Sequence, residues 1–138
     1  MDLERNKKLV IDAWKAFASR DPQRVSAVFA EDAEWIAPKG NATAVALGGT
    51  HHMIGRDAIV HFITVEFHKL FTEGVKIEFR GMYAEGSTVI VEERFQATLA
   101  GGKLYDNDYC FFFELRDGLI WRVREYMDTL RGKEIILG

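Results

Sequence analysis

Charged and polar side chains follow one face of three predicted strands in the C-terminal half of the chain. Alternate residues of a strand point to the same side of a sheet. This alternation groups on one face Glu92, Arg94, Gln96 and Thr98, then Asp106, Asp108, Cys110 and Phe112, and finally Arg122, Arg124, Tyr126 and Asp128. The three rows form either a solvated face with ion pairs worth about 0.2–1 kcal/mol each or a polar patch inside a concave sheet.

Asp128 and Arg94 are the residues of these rows best suited to chemistry. Asp128 ends a predicted strand, where a cavity would begin, and Arg is the cation better suited to sites removed from water. Burial raises the pKa of a carboxyl group towards neutral pH, so Asp128 could transfer a proton while Arg94 stabilises an enolate. The alternative is a buried Asp–Arg pair that only holds two strands together. The expected substrate contacts from the same rows are Gln96, Asp108, Phe112 and Tyr126.

The histidines and the single cysteine do not form a metal-binding pattern. His61 and His68 are two helical turns apart, unlike the i, i+4 pair of a helical zinc site. His51 and His52 are adjacent in a glycine-rich stretch without a further ligand motif, although they could reach a pocket. Cys110 is predicted to be a small apolar residue of the core or pocket wall. We therefore expect neither a metal nor a cofactor.

The spacing of apolar residues, which indicates the secondary structure that would position these side chains, changes near Gly74. Residues before it show helical spacing, and residues after it alternate with period two between turn signals. We predict helices over 5–19, 22–30 and 56–72, the last closed by Gly74, and a long loop over 39–53. The predicted strands are 31–38, 75–84, 88–100, 104–116 and 119–129. Helices followed by a meander predict one α+β domain over 1–138, with helices across a curved sheet.

Composition excludes several classes of partner. Of the 138 residues 48% are apolar, and the net charge is -3 with an isoelectric point near 5.8. Nucleic acids and anionic membranes are bound by concentrated Lys and Arg, so neither is an expected partner. A lone cysteine favours a reducing compartment. The N-terminal residues lack the pattern of an export signal, so we expect a cytoplasmic protein.

Three stretches, residues 29–33, 55–59 and 117–128, resemble SnoaL-like polyketide cyclases and ketosteroid-isomerase-like proteins of the nuclear-transport-factor-two-like superfamily. The resemblance implies a cone-shaped, cystatin-like fold, with three N-terminal helices on a curved, mostly antiparallel sheet that encloses a pocket. It places Trp14 and Trp35 on the pocket wall. Limonene-epoxide-hydrolase-like proteins are similar at Arg94 and Asp128, where their site uses an Asp-Arg-Asp trio, but Gln96 replaces one acid.

The resemblance and the polar rows together predict an enzyme that transfers protons on a small apolar carbonyl compound. The reaction would be an isomerisation, cyclisation or dehydration with Asp128 as acid and base. The alternatives are a non-catalytic ligand-binding or dimerisation module and an epoxide hydrolase with an incomplete trio. We also expect a homodimer through the sheet face that carries Phe95, Phe111 and Phe113, since so apolar a face would not stay in water.

Overall fold

The computed structural model describes residues 2–138. Its helices are α1 (Leu3–Ser19), α2 (Pro22–Ala27), α3 (Ala42–Leu47), α4 (Arg56–His61), α5 (Phe67–Leu70) and α6 (Thr129–Ile136), and a π-helical turn (Phe62–Glu66) joins α4 to α5. Its strands are β1 (Phe29–Ile36), β2 (His52–Ile54), β3 (Phe71–Glu85), β4 (Thr88–Leu99), β5 (Leu104–Arg116) and β6 (Leu119–Met127).

The six strands form one open, curved sheet in the order β2-β1-β6-β5-β4-β3. Strands β3 to β6 follow one another as antiparallel hairpins, and β1 joins the sheet by parallel pairing with β6. The predicted α+β class with a curved, mostly antiparallel sheet is confirmed. None of the helices within residues 2–138 is long and apolar enough to cross a membrane.

Helix α1 packs across β3 and β4, and each of its ends has a defined cap. The side chain of Asp2 accepts a hydrogen bond from the backbone N–H of Arg5 at 3.0 Å, which satisfies one of the free donors at the helix start. The buried residues Val10, Ala13 and Phe17 lie on one face at helical spacing. Arg20 closes the helix in the left-handed conformation with φ of 59°, which is uncommon for a residue other than glycine.

Several boundaries differ from the sequence prediction. The second helix ends at Ala27 instead of residue 30, and β1 already begins at Phe29. The third helical stretch ends at Leu70, and Gly74 lies inside β3 instead of capping a helix, because β3 already pairs with β4 from Phe71. The predicted long loop contains α3 and the start of β2. The last strand ends at Met127, since Asp128 begins a helix that the sequence analysis did not predict.

The two faces of the sheet differ sharply in polarity. The inner face, under the helices, carries Phe95, Phe111 and Phe113, which are at most 6% exposed and belong to the main core. These residues are therefore not the open apolar surface that the dimer prediction assumed. The polar rows lie on the outer face. Neighbouring residues of a strand point to opposite faces, so the polar and apolar rows differ by one position along each strand.

Candidate active site

A cavity of about 320 Å³ lies between the inner face of the sheet and the covering helices. Nine of its lining residues are aromatic, so its wall is mainly apolar: Trp14, Phe17, Trp35, Phe62, Phe67, Phe71, Phe95, Tyr109 and Phe111. Phe62 belongs to the π-helical turn, an irregularity that often marks functional sites. The volume and lining are typical of a site for a small, largely apolar molecule.

Glu93 brings a carboxyl group into this apolar wall. Because β4 alternates strictly, Glu93 points inward with Val91 and Phe95, while its neighbours point outward. Glu93 is 2% exposed, and its Oε2 atom has no hydrogen-bond partner among the described residues. Burial, reinforced by repulsion from Glu125, raises the pKa of Glu93 to about 8. Glu93 is therefore neutral at pH 7.

Glu125 brings a second carboxyl group into the cavity from β6. Its Oε1 atom accepts a hydrogen bond of 2.8 Å from the indole Nε1 of Trp35 on β1. Burial raises the pKa of Glu125 to about 7, and the hydrogen bond from Trp35 acts in the opposite direction by favouring the ionised form. Near neutral pH the protonated and ionised forms of Glu125 are therefore both populated.

The two carboxyl groups line the same cavity and interact electrostatically. Strand β5 lies between their strands, with Glu93 opposite Tyr109 and Glu125 opposite Phe111, and the charge of Glu125 opposes the ionisation of Glu93. Two acids whose environments separate their pKa values can act as a base and an acid at the same pH. The Trp35 hydrogen bond favours the ionised form of Glu125, whereas Glu93 Oε2 receives no hydrogen bond, so Glu125 is the group suited to accept a proton and Glu93 the group suited to donate one.

A buried hydrogen-bond chain holds a third polar group on the cavity wall. The hydroxyl of Tyr109 lies 2.7 Å from that of Tyr105, and Asn107 Nδ2 donates to the Tyr105 hydroxyl at 2.9 Å and to the carbonyl of Asp128 at 3.0 Å. Burial raises the pKa of Tyr109 well above its ordinary value. Tyr109 is thus a neutral hydroxyl of fixed position next to the two acids.

The cavity also collects polar atoms that the protein leaves unpaired. Within residues 2–138, six buried side-chain nitrogen or oxygen atoms have no hydrogen-bond partner, and four belong to cavity-lining residues. They are Trp14 Nε1, Glu93 Oε2 and both ring nitrogens of His68. A buried polar atom without a partner is unfavourable by about 1–3 kcal/mol. A bound molecule with oxygen functions would satisfy them.

The structure places two of the predicted site residues on the cavity wall and the other six elsewhere. Trp14 and Trp35 line the cavity. The remaining six are corrected to the outer face of the sheet or its edge: Asp128, Arg94, Gln96, Asp108, Phe112 and Tyr126. The physical reason is that the helices cover the apolar side of the strands, which leaves the charged rows facing outward.

Arg94 and Asp128 are therefore not partners in a pocket. Arg94 donates two hydrogen bonds, of 2.9 and 2.6 Å, to the carboxylate of Asp106 on the outer face. Asp128 caps α6 by accepting the N–H of Arg131 at 3.0 Å. The incomplete Asp-Arg-Asp trio is likewise absent from the cavity, since Gln96 shares the outer face with Arg94.

The other outer-face residues have structural contacts of their own. Asp108 forms ion pairs with Arg80 and Arg131. Phe112 packs edge-on against Tyr126 and beneath the guanidinium of Arg124. These ion pairs and packing contacts explain the charged rows of the sequence, and no binding or catalytic role is needed to account for them.

The loop histidines do not line the cavity either. His52 pairs with Glu34 at 2.9 Å. Across residues 2–138 there is also no group of three or more His, Cys, Asp or Glu side chains placed to hold a metal ion.

Four residues of the cavity were not predicted from the sequence as site residues: Glu93, Glu125, Tyr109 and His68. A usable signal was present for the two acids: Glu93 lies at the same parity as Val91 and Phe95, and Glu125 at the parity of Val123 and Met127. An acid inside an apolar row is the informative exception, because charge on the opposite row is normal. His68 offered no such signal.

Comparisons with known proteins agree with this architecture. The family model of the SnoaL-like domain matches residues 10–123. An NTF2-like protein from Burkholderia pseudomallei superposes with a TM-score of 0.84 at 20% identity, covering 100% of both chains. TerC, co-crystallised with polyporic acid, has a TM-score of 0.82 at 22% identity and covers 97% of this chain and 99% of its own.

An LEH-like epoxide hydrolase from M. tuberculosis has a TM-score of 0.76 at 17% identity, covering 99% of this chain and 92% of its own. No curated protein matches the sequence. At these identities the structural matches establish the fold alone. The family model spans most of the chain, and the chain therefore belongs to the SnoaL-like domain family.

Proposed function

We propose that the cavity is the active site of an enzyme that transfers protons on a small apolar carbonyl compound, with Glu125 as the base and Glu93 as the neutral acid. The observation that carries the proposal is that two carboxyl groups, the buried Glu93 and the half-buried Glu125, open into one apolar cavity, where their pKa values are raised to about 8 and about 7. General acids and bases work best when their pKa lies near the working pH. The proposal keeps the reaction class expected from the sequence and replaces Asp128 by the two glutamates.

The chemical step needs only groups that line the cavity. The Glu125 carboxylate removes a proton from the carbon next to the substrate carbonyl, and the electrons of that C–H bond move onto the carbonyl oxygen. Glu93 donates its carboxyl proton in a hydrogen bond to this oxygen, and the unpaired N–H of Trp14 is a second donor for it. Neutral donors in an apolar cavity stabilise the developing enolate more than they would in water.

The fate of the enolate decides the reaction. Return of the proton from Glu125 to another carbon gives an isomerisation. Attack of the enolate carbon on a second carbonyl carbon gives a cyclisation. When the enolate carbonyl re-forms and a hydroxyl group leaves the neighbouring carbon as water, with the proton supplied by Glu125, the result is a dehydration. All three begin with the same proton abstraction, and that first step can be tested without the natural substrate.

Structural neighbours support a small-molecule site in this fold. One of them, TerC, was co-crystallised with polyporic acid, and another is an LEH-like epoxide hydrolase. In this chain Gln96 and Arg94 lie outside the cavity, so the residues that could have supported epoxide hydrolysis are not in place. Proton transfer by the glutamate pair is the reaction that the cavity supports.

The test is hydrogen exchange at an activated carbon. The acetyl protons of 2-acetylnaphthalene exchange with D2O through its enolate, and NMR follows the loss of the methyl signal. We expect the wild-type protein to accelerate exchange, and Glu125→Gln to lower the enzymatic rate by about 10²- to 10⁴-fold. Glu92→Gln, on the same strand as Glu93 but exposed on the outer face, is the matched control and should exchange at the wild-type rate.

A wild-type protein that binds the ketone without accelerating exchange would show a binding module instead of an enzyme. Equal exchange rates in the wild type and in a correctly folded Glu125→Gln protein would refute the assignment of the base.

A further inference from the structure

The mouth of the cavity carries a polar pair that the proton-transfer step does not use. His68 lies on α5 and Arg20 at the end of α1, so both project from the helical cover, whereas Glu93 and Glu125 project from the sheet. Arg20 and its neighbour Ala18 are exposed lining residues, which places this pair where the cavity meets solvent. The cavity thus has two sets of polar side chains, one on its sheet wall and one on its helical wall.

His68 is held in an unsatisfied state. Both ring nitrogens are buried and lack a hydrogen-bond partner. The carbonyl of Ile63 is near enough to favour the charged ring but makes no hydrogen bond of acceptable geometry. Burial, followed by the charge of Arg20, lowers the pKa of His68, so the ring is neutral at pH 7 and retains one N–H donor. A ligand oxygen at this place would satisfy that donor.

Among the described residues that line the cavity, Arg20 is the only cation. Its guanidinium has no ion-pair partner in the part of the chain that the structure describes. Its backbone adopts a left-handed conformation with φ of 59°, which glycine would adopt with less strain. Such strained residues concentrate at ligand sites. A planar guanidinium fits a carboxylate through two parallel hydrogen bonds.

We propose that Arg20 and His68 form a carboxylate-binding subsite at the cavity mouth, so that the natural substrate is an apolar keto acid. This inference rests on the proposed function for the binding of the ketone carbonyl, and it adds a binding site for the substrate carboxylate. The carbonyl lies against Glu93 and Glu125, the apolar body lies among the aromatic side chains, and the carboxylate lies against Arg20 and the His68 N–H. The mouth therefore selects apolar ketones that carry a carboxylate and fixes the orientation in which they bind.

The experiment compares 6-acetyl-2-naphthoate with its methyl ester by isothermal titration calorimetry. The two probes share the ketone and the fused rings, but only the acid carries a charge. We expect the wild-type protein to bind the acid about tenfold or more tightly than the ester, as for a charge-assisted hydrogen bond. This preference should fall to within about twofold in Arg20→Met and in His68→Leu.

Two control variants remove the same groups from the same helical stretches without touching the cavity. Lys15→Met removes a cation from α1, and His61→Leu removes an exposed histidine from α4. Both should keep the wild-type preference for the acid. Arg20→Gly relieves the left-handed backbone, and we expect this variant to melt no lower than wild type. A loss of preference in Arg20→Gly at an unchanged measured melting temperature cannot reflect unfolding.

Three results would overturn the subsite. They are equal affinities of acid and ester for the wild-type protein, a preference that survives in both Arg20→Met and His68→Leu, and no binding of the acid at about 1 mM. Failure of the proposed function gives a different result, because Glu125→Gln would then leave exchange unchanged while the preference for the acid, which is measured without turnover, could still be present.

Discussion

Replacing Glu93 by glutamine should make the protein more stable at alkaline pH and leave it almost unchanged at acid pH. Glutamine has nearly the same shape as glutamic acid and cannot ionise. The Oε2 atom of Glu93 has no partner to lose. Near pH 5 both side chains are neutral in the folded proteins and little of the pH-dependent difference has developed, so we expect the two free energies of unfolding to agree within about 1 kcal/mol.

The size of the alkaline effect follows from the pKa of Glu93. That pKa is about 8 in the folded protein, against an ordinary value of 4.5 for a glutamic acid carboxyl. The folded state holds this proton more tightly than the unfolded chain, so the stabilisation is fully present below pH 4.5 and is lost as the pH rises through about 8. A difference of that size corresponds to on the order of 5 kcal/mol for the wild-type protein.

The assay is urea denaturation of both proteins at several values from about pH 5 to pH 9, with the free energy of unfolding obtained from each curve. The other titratable groups facing the cavity, namely Glu125, Tyr109, His68 and Arg20, are present in both proteins. The difference between the two curves therefore reports Glu93 and its repulsion with Glu125. It should grow steadily between pH 5 and pH 8 in favour of the variant.

Glu92→Gln is the control, since this side chain is exposed on the opposite face of the same strand. Its stability curve should run parallel to that of the wild type. Parallel curves for Glu93→Gln as well would refute the argument, because they would mean that Glu93 ionises in the folded protein as easily as in the unfolded chain.

Four further predictions follow from the same structure. Trp35→Phe removes the N–H that favours ionised Glu125, so the acid limb of the exchange profile should move upward from about pH 7. Asp128→Asn should keep the α6 cap and full exchange, whereas Asp128→Ala should lose about 1 kcal/mol of stability; a loss of exchange in a folded Asn variant would restore the catalytic assignment. Dialysis against EDTA should leave exchange unchanged, and a loss restored by zinc would contradict the prediction that no metal is needed. We expect a homodimer through the outer sheet face, where Tyr83 and Tyr126 are 57% and 49% exposed; sedimentation at micromolar concentration giving only a 15.7 kDa species would contradict it.

Local patterns in the sequence determined most of the architecture. The helical spacing of Val10, Ala13 and Phe17 and the period-two alternation after Gly74 are properties of short segments, and each is found in the structure as α1 and as strands β3 to β6. Such patterns can be read in isolation because helix and strand periodicities repeat within a few residues. Trp14 and Trp35, in contrast, were placed on the cavity wall by the family resemblance and not by a local pattern.

Only the tertiary structure decided which face of the sheet encloses the cavity. Alternation separates Glu93 from Arg94 and Glu125 from Tyr126, but it does not say which set the helices will cover. Packing resolves this, because the helices bury the row that contains Phe95 and Phe111 and carry the two glutamates inward with it. The raised pKa values then arise from burial and from the approach of strands that are far apart in sequence. The conspicuous charged rows, with Arg94 and Asp128, remain at the surface because water solvates their charges at little free-energy cost.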